Sequence, residues 1–221
     1  MPKRDHAGHR PRSGKESSKA SRARGAGRKL AAPKVFDGYE SAVAYLTERV
    51  NIERMRPERV DPAILKLDRM EEILERLGNP HETLKFVHVA GSKGKGSVCE
   101  MAASCLGACG YTTGLYTSPH LVDLRERIRI NQHQIGHADF AVYLGRAAGA
   151  AEEALKKTEP ATFFEILTAA ALAYFADEAV DIAVMEVGLG GRLDSTNVVA
   201  PEVCAITSIQ DRKSTRLNSS H

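Results

Sequence analysis

The run Phe86-Val87-His88-Val89-Ala90 breaks at once into Gly91-Ser92-Lys93-Gly94-Lys95-Gly96-Ser97, and no other stretch constrains the fold of this chain as strongly. β-Branched and aromatic residues bounded by glycine predict a buried strand, and the SVCEMAASCLGAC that follows predicts a helix ended by Gly110. A strand entering a helix through a glycine-rich loop suits a phosphate cradle. Glycines let backbone N–H groups approach the ligand, the helix N-terminus adds positive potential, and Lys95 offers a point charge to the outer phosphates. The expected ligand is a nucleoside triphosphate. The general pattern G-x-x-x-x-G-K-[ST] is met only in part, because Val89 stands where the first glycine belongs and Gly96 follows the lysine. A glycine-rich turn with a solvated lysine is the competing reading.

The 221 residues suffice for one good core, and 43% hydrophobic with 27% charged residues is ordinary for a soluble protein. No run of about 18 apolar residues occurs, so no membrane span is expected. Charge is unevenly spread: residues 1–34 hold 11 Lys/Arg against Asp5 and Glu16, and the rest holds 20 basic and 26 acidic residues. That first segment has no Val, Ile or Phe before Val35, so a disordered basic tail over 1–34 is expected. No aromatic residues interleave its charges, which argues against a nucleic-acid function. Neither a secretory h-region nor an amphipathic transit face is present, and a cytoplasmic location follows as the default. Cys99, Cys105 and Cys109 share the helix behind the loop, Cys204 falls in a late strand, and no C-x-x-C pair suggests structural zinc. Cys105 and Cys109 read most simply as small buried residues.

Along the chain, Val43, Leu46 and Val50 recur at helical spacing from Tyr39 onward. Asp61-Pro62 opens a second helix whose apolar face runs from Ile64 to Leu77, with Gly78 and Pro80 ending it. Thr112–Tyr116 reads as a strand, and ERIRINQHQI as a small hairpin at the sheet margin turning near Asn131-Gln132. Helices are expected over about Ala138–Lys157 and Thr162–Asp177, the second nearly continuous in apolar residues. DIAVMEV, Asp181–Val187, is an apolar strand carrying one acid, Glu186, near its carboxyl end. Strands alternating with helices imply an α/β fold with a P-loop and a mostly parallel sheet, helices lying on both faces. Ligands of such sheets bind beyond the carboxyl ends of the strands, where Lys95, Ser118 and Glu186 fall together.

A nucleoside triphosphate brings Mg²⁺, which takes hard oxygen ligands such as the Ser118 hydroxyl and the Glu186 carboxylate. Each has a plainer reading: Glu186 paired with Arg192, and Ser118 as a turn former before Pro119. His120 either faces substrate or closes its turn through a hydrogen bond. Arg127 and Arg129 either clamp an anion or coat the hairpin. GLGGR does not complete a dinucleotide fingerprint.

These motifs together resemble one family, the folylpolyglutamate synthases and bifunctional dihydrofolate synthases, relatives of the Mur ligases. The strings are RMEEILERLGNPH, FVHVAGSKGKGSV, GLYTSPHLVDLRERIRIN, TFFEILTAAALAYFA, EVGLGGRLDSTN and ITSI, in family order over about Tyr39–Ile209. The resemblance implies a Mur-ligase-like ATP-binding domain over 35–210. It also implies ATP-dependent amide-bond formation, in which a pteroate or folate carboxylate is phosphorylated and then attacked by the amine of L-glutamate. By position, Gly91, Gly94, Lys95, Gly96 and Ser97 correspond to the ATP loop, with Lys95 catalytic, and Ser118 and Glu186 to Mg²⁺ ligands. Thr162, Phe163, Phe164, Glu165 and Leu193 correspond to the pterin-side pocket, with one of the two phenylalanines expected to be only helix core. A monomer is implied, with ATP, L-glutamate and dihydropteroate or folate as its small-molecule partners.

The chain departs from the family after ITSI. Residues 211–221 are polar, break the βα rhythm, and offer no counterpart to the family's LDH histidine, a third Mg²⁺ ligand. They read as a foreign tail on a domain truncated before its lysine-bearing segment and C-terminal domain, so poor activity is expected. Two other readings remain: a catalytically incompetent nucleotide- or pterin-binding module, and a Mur-type ligase of a peptidoglycan precursor, which should lack the SPHL…ERI string.

Overall fold

A computed structural model describes residues 30–55, 67–155 and 160–209. The apolar run of the opening forms β1 (Phe86–Ala90), and the loop delivers the chain into α3 (Lys95–Ala108). Before them come α1 (Tyr39–Thr47) and α2 (Leu67–Arg76). The expected start of α2 at Asp61-Pro62 lies outside the described residues, as do the basic residues 1–29 and the tail 210–221. After α3 come β2 (Thr113–Tyr116), β3 (Ile128–Ile130), β4 (His133–Gln134), α4 (His137–Ala154), α5 (Phe163–Asp177), β5 (Ile182–Glu186) and β6 (Val203–Ile206). Among the described residues, no helix is long and apolar enough to cross a membrane.

The sheet runs β4-β3-β2-β5-β1-β6. Strands β2, β5, β1 and β6 are parallel, while β3 and β4 form the expected antiparallel hairpin at the margin. Strand alternation sends Val89, Leu115 and Val184 to one face, where Cys99 and Ala103 of α3 cover them. The opposite face sends Phe86, Tyr116, Ala183 and Met185 into a larger core with α1, α2, α4 and α5. Helix α5 supplies that core almost all round, as its apolar sequence requires. From β1 the chain crosses β5 to reach β2, and from β5 it crosses β1 to reach β6, so the two central strands are left in opposite directions with their carboxyl ends side by side.

Two sequence expectations are revised. Cys105 and Cys109 are exposed, as is Cys204. Helix α3 is anchored through Cys99 and Ala103, and at 100° per residue Cys105 and Cys109 point away from that stripe. Residues 30–34, read as the end of the basic tail, are engaged with the helices: Ala31 N–H donates to Arg76 O (3.0 Å) and Lys34 N–H to Gly145 O (2.9 Å). A β-carbon on Gly145 or Gly149 would lie 2.2 Å from Lys34 O or 2.1 Å from Ala32 O, so these α4 glycines make room for that segment.

Candidate functional site

Gly94 caps α3 in the left-handed region (φ 80°) without any side-chain cap, and the first backbone hydrogen bond of the helix is Val98 N–H to Gly94 O at 3.0 Å. The N–H groups of Lys95, Gly96 and Ser97 therefore begin the helix without a partner in the helical ladder, the arrangement that binds anions. The loop is pinned from its far side by residues after β6. Ser92 N–H donates to Ser208 O (2.7 Å), and Thr207 Oγ1 donates to Lys93 O (2.7 Å). Gly91 is required there: its φ is +139°, and a β-carbon would stand 1.9 Å from Thr207 Oγ1. The ITSI string was legible as a motif, but its part in holding the loop needed the β1–β6 pairing.

Glu186 ends β5 beside this loop and is only 4% exposed. Its Oε2 accepts the Ser118 backbone N–H at 3.0 Å, and Lys95 Nζ stands 3.9 Å from Oε1. Burial pushes the Glu186 pKa up, and the Ser118 N–H, Lys95 and Arg127 oppose that shift. Arg192, the partner considered for it, is exposed. Gly96, Ser118 and Glu186 line one cleft of about 250 Å³ with Glu100, Glu126 and Arg129. Arg129 pairs with Glu100, and the Glu126 carboxylate accepts the N–H groups of Leu121, Val122 and Asp123 at 2.7–2.9 Å, which lowers its pKa and fixes the loop after Ser118. His120 Nδ1 accepts the Arg127 Nε–H at 2.8 Å, tying that loop to the sheet margin.

A second cavity, of about 20 Å³, lies under the loop after β5. Thr162, Phe164, Glu165 and Leu193 line it with Glu53, Gly188 and Asp194. Phe163 does not join them. It is 2% exposed, faces a groove with Tyr39 and His120, and lies 5.3 Å under the Arg127 guanidinium. Thr162 and Glu165 form the capping box of α5, and Glu165 also receives Arg69 Nη2 at 2.8 Å. Gly188 admits the Phe164 ring, for a β-carbon would lie 2.6 Å from its Cζ.

Asp194 was not among the residues singled out from the sequence, yet it organises this loop. Its carboxylate accepts Leu189 N–H (2.7 Å), Thr196 N–H (3.0 Å) and the Thr196 hydroxyl (2.6 Å). Since that hydroxyl donates to Asp194, it accepts from His88 Nε2 at 2.8 Å, which fixes the imidazole tautomer. Burial lowers the His88 pKa and raises that of Asp194. The D-S-T run after GGRL was the available signal, as an Asp N-cap before a short helical turn.

A helix start with N–H groups outside the helical ladder, a buried carboxylate opposite its lysine, and a glycine loop over a pocket with one aromatic wall lie together in this chain, and the chain as a whole is similar to known proteins. The chain is 43% identical over 146 residues to the dihydrofolate synthase/folylpolyglutamate synthase of Bacillus subtilis, covering 65% of this chain and 34% of that protein. It is 39% identical over 181 residues to an Arabidopsis thaliana folylpolyglutamate synthase, covering 79% and 29%. The chain is similar to part of the folylpolyglutamate synthase/dihydrofolate synthase family. The solved structure of E. coli FolC in complex with DHPP and ADP superposes with a TM-score of 0.68 at 32% identity, over 86% of this chain and 42% of that one. No family model matches the chain. It spans about a third or less of the length of these curated synthases. The mostly parallel sheet with helices on both faces expected of the family's Mur-ligase-like domain is observed, and it has six strands.

Proposed function

We propose that this chain carries the nucleotide- and pterin-binding part of an ATP-dependent ligase that adds L-glutamate to dihydropteroate or folate through an acyl phosphate. One observation carries the reading: the start of α3, Lys95, Ser118 and Glu186 converge at the carboxyl ends of the central strands. The ADP and DHPP bound by the E. coli relative support it. A carboxylate is a poor electrophile, and transfer of the terminal phosphoryl group gives it a leaving group. In this reading the N–H groups of Lys95, Gly96 and Ser97 hold the phosphates and Lys95 Nζ offsets their charge. Thr162, Phe164 and Leu193 bound the pterin, and Phe163 supports them from the core.

The donor set suits Mg²⁺, because Ser118 and Glu186 are hard oxygens and Glu186 is a buried carboxylate held by one N–H and a lysine 3.9 Å away. These two residues would hold it, and the ion would neutralise phosphate charge. The domain, first read as residues 35–210, is taken to include residues 30–34 as well, since these pack on α2 and α4. A monomeric state and a cytoplasmic location go with the reading.

Titration with a fluorescent ATP analogue and Mg²⁺ tests it. Wild type should bind, and Lys95→Ala should weaken binding about tenfold or more, the effect of losing a charge-assisted contact. No binding by wild type overturns the reading. Glutamate incorporation with ATP, Mg²⁺ and dihydropteroate separates turnover from binding alone. A binding module without turnover is the second reading.

A further inference from the structure

Arg127 ends the short helical turn Leu124–Arg127 ahead of β3 and is 2% exposed. Its guanidinium is gripped from three sides. Nε donates to His120 Nδ1 at 2.8 Å, Nη2 faces Glu53 Oε2 at 2.7 Å, and the Phe163 ring lies 5.3 Å from the guanidinium carbon. Nη1 is buried and meets no hydrogen-bond acceptor, and Glu53 Oε2, despite the short ion pair, meets no aligned donor. A buried guanidinium N–H without an acceptor is costly, because the hydration it lost is not replaced. A residue that merely coated a hairpin would stand in water and carry no such cost.

The neighbours of Arg127 stand on two walls. Glu53 lines the cavity shared by Thr162, Phe164 and Leu193. On the other side the Arg127 carbonyl accepts Thr117 N–H at 3.1 Å, and Thr117 lines the phosphate cleft with Glu126 and Glu186. Arg127 thus links two walls across the interval between the pocket assigned to the pterin and the cleft assigned to the phosphates. An acceptor carboxylate has to occupy that interval to meet a terminal phosphate.

We propose that Arg127 binds the carboxylate of the pterin substrate through its unpaired Nη1 and holds it between the two cavities. The proposal rests on the ligase reading above. An Nη1–H bond to one carboxylate oxygen leaves the other free to face the phosphate, and the contacts with Glu53, His120 and Phe163 fix the fork in advance.

The test is a pterin-fluorescence titration of the full chain with dihydropteroate and with its carboxamide, in which an uncharged amide replaces the carboxylate. Wild type should bind the acid about tenfold tighter or more than the amide, as one charge-assisted hydrogen bond implies. Arg127→Gln should lose that preference while still binding the amide. Arg127→Lys should keep part of it, because lysine retains the charge without the planar fork. Equal binding of acid and amide by wild type overturns the proposal and leaves the pterin pocket standing. So does an undiminished preference in Arg127→Gln. If wild type binds neither compound, the ligase reading fails and the proposal with it. Should circular dichroism show Arg127→Gln unfolded, wild type and Arg127→Lys decide alone: a preference that is equal in both overturns the proposal.

Discussion

Glu165 and Glu186 are buried to nearly the same degree, 2% and 4% exposed, yet they are held in opposite ways. Glu165 takes Arg69 Nε at 3.0 Å and Nη2 at 2.8 Å on one oxygen and Thr162 N–H at 2.7 Å on the other. Glu186 has one N–H and a lysine at 3.9 Å. Desolvation is similar for the two, so the difference lies in compensation. A buried acid with its lone pairs filled is part of the scaffold, whereas one left short is ready for a cation or a ligand. The contrast also separates the two cavities, one with a wall built on a saturated ion pair and one built around an unsaturated carboxylate.

The largest effect should come from breaking the saturated site. Glu165→Ala removes the carboxylate from the buried Arg69 guanidinium and should cost about 3–5 kcal/mol of stability in urea unfolding. Glu186→Gln should lie within about 1 kcal/mol of wild type, since it removes a charge that burial already disfavours. Equal losses in the two variants would erase the contrast. Between them stands Gly188→Ala, whose β-carbon would press on Phe164 Cζ at 2.6 Å. An overpacking loss of about 1–3 kcal/mol is expected, relieved when Phe164→Leu is added.

A finer test uses pH. The Glu186 pKa is raised above its ordinary value of 4.5 in the folded chain, so the folded state holds the proton longer than the unfolded one. The stability of wild type relative to Glu186→Gln should be greatest below pH 4.5 and fall as pH rises through the folded value, then level off. A difference that rises over this window would contradict the burial account. The smallest effect is kinetic and concerns a thiol near Glu186. Burial first, and then Glu186, pushes the Cys99 thiol up to about 12, while Cys105, Cys109 and Cys204 are exposed. A thiol reagent should label three cysteines quickly and the fourth only on unfolding.

Much of the sheet was legible because its strands are bounded apolar runs. Phe86–Ala90 occupies the span read for it, and the hairpin turns at Asn131-Gln132 as its polar punctuation implied. Lys95, Ser118 and Glu186 could be brought together on paper because a parallel sheet puts strand ends on one side. The environments of Arg127 and of Thr162 with Glu165 were not legible. Arg127 lies in a charged alternating stretch that reads as surface, and only the fold lays Glu53, 74 residues earlier in sequence, against it. The cysteines failed for the same reason. Helical spacing groups residues on a face but does not say which face a sheet covers.

The sequence by itself determined the alternation of strands and helices, the glycine-rich loop between β1 and α3 and the acid at the end of β5, because periodicity and glycine chemistry are local. Tertiary structure alone decided which charges are compensated. Whether a buried carboxylate or guanidinium is saturated depends on partners tens of residues away, such as Arg69 for Glu165, and no local pattern encodes the distance between them.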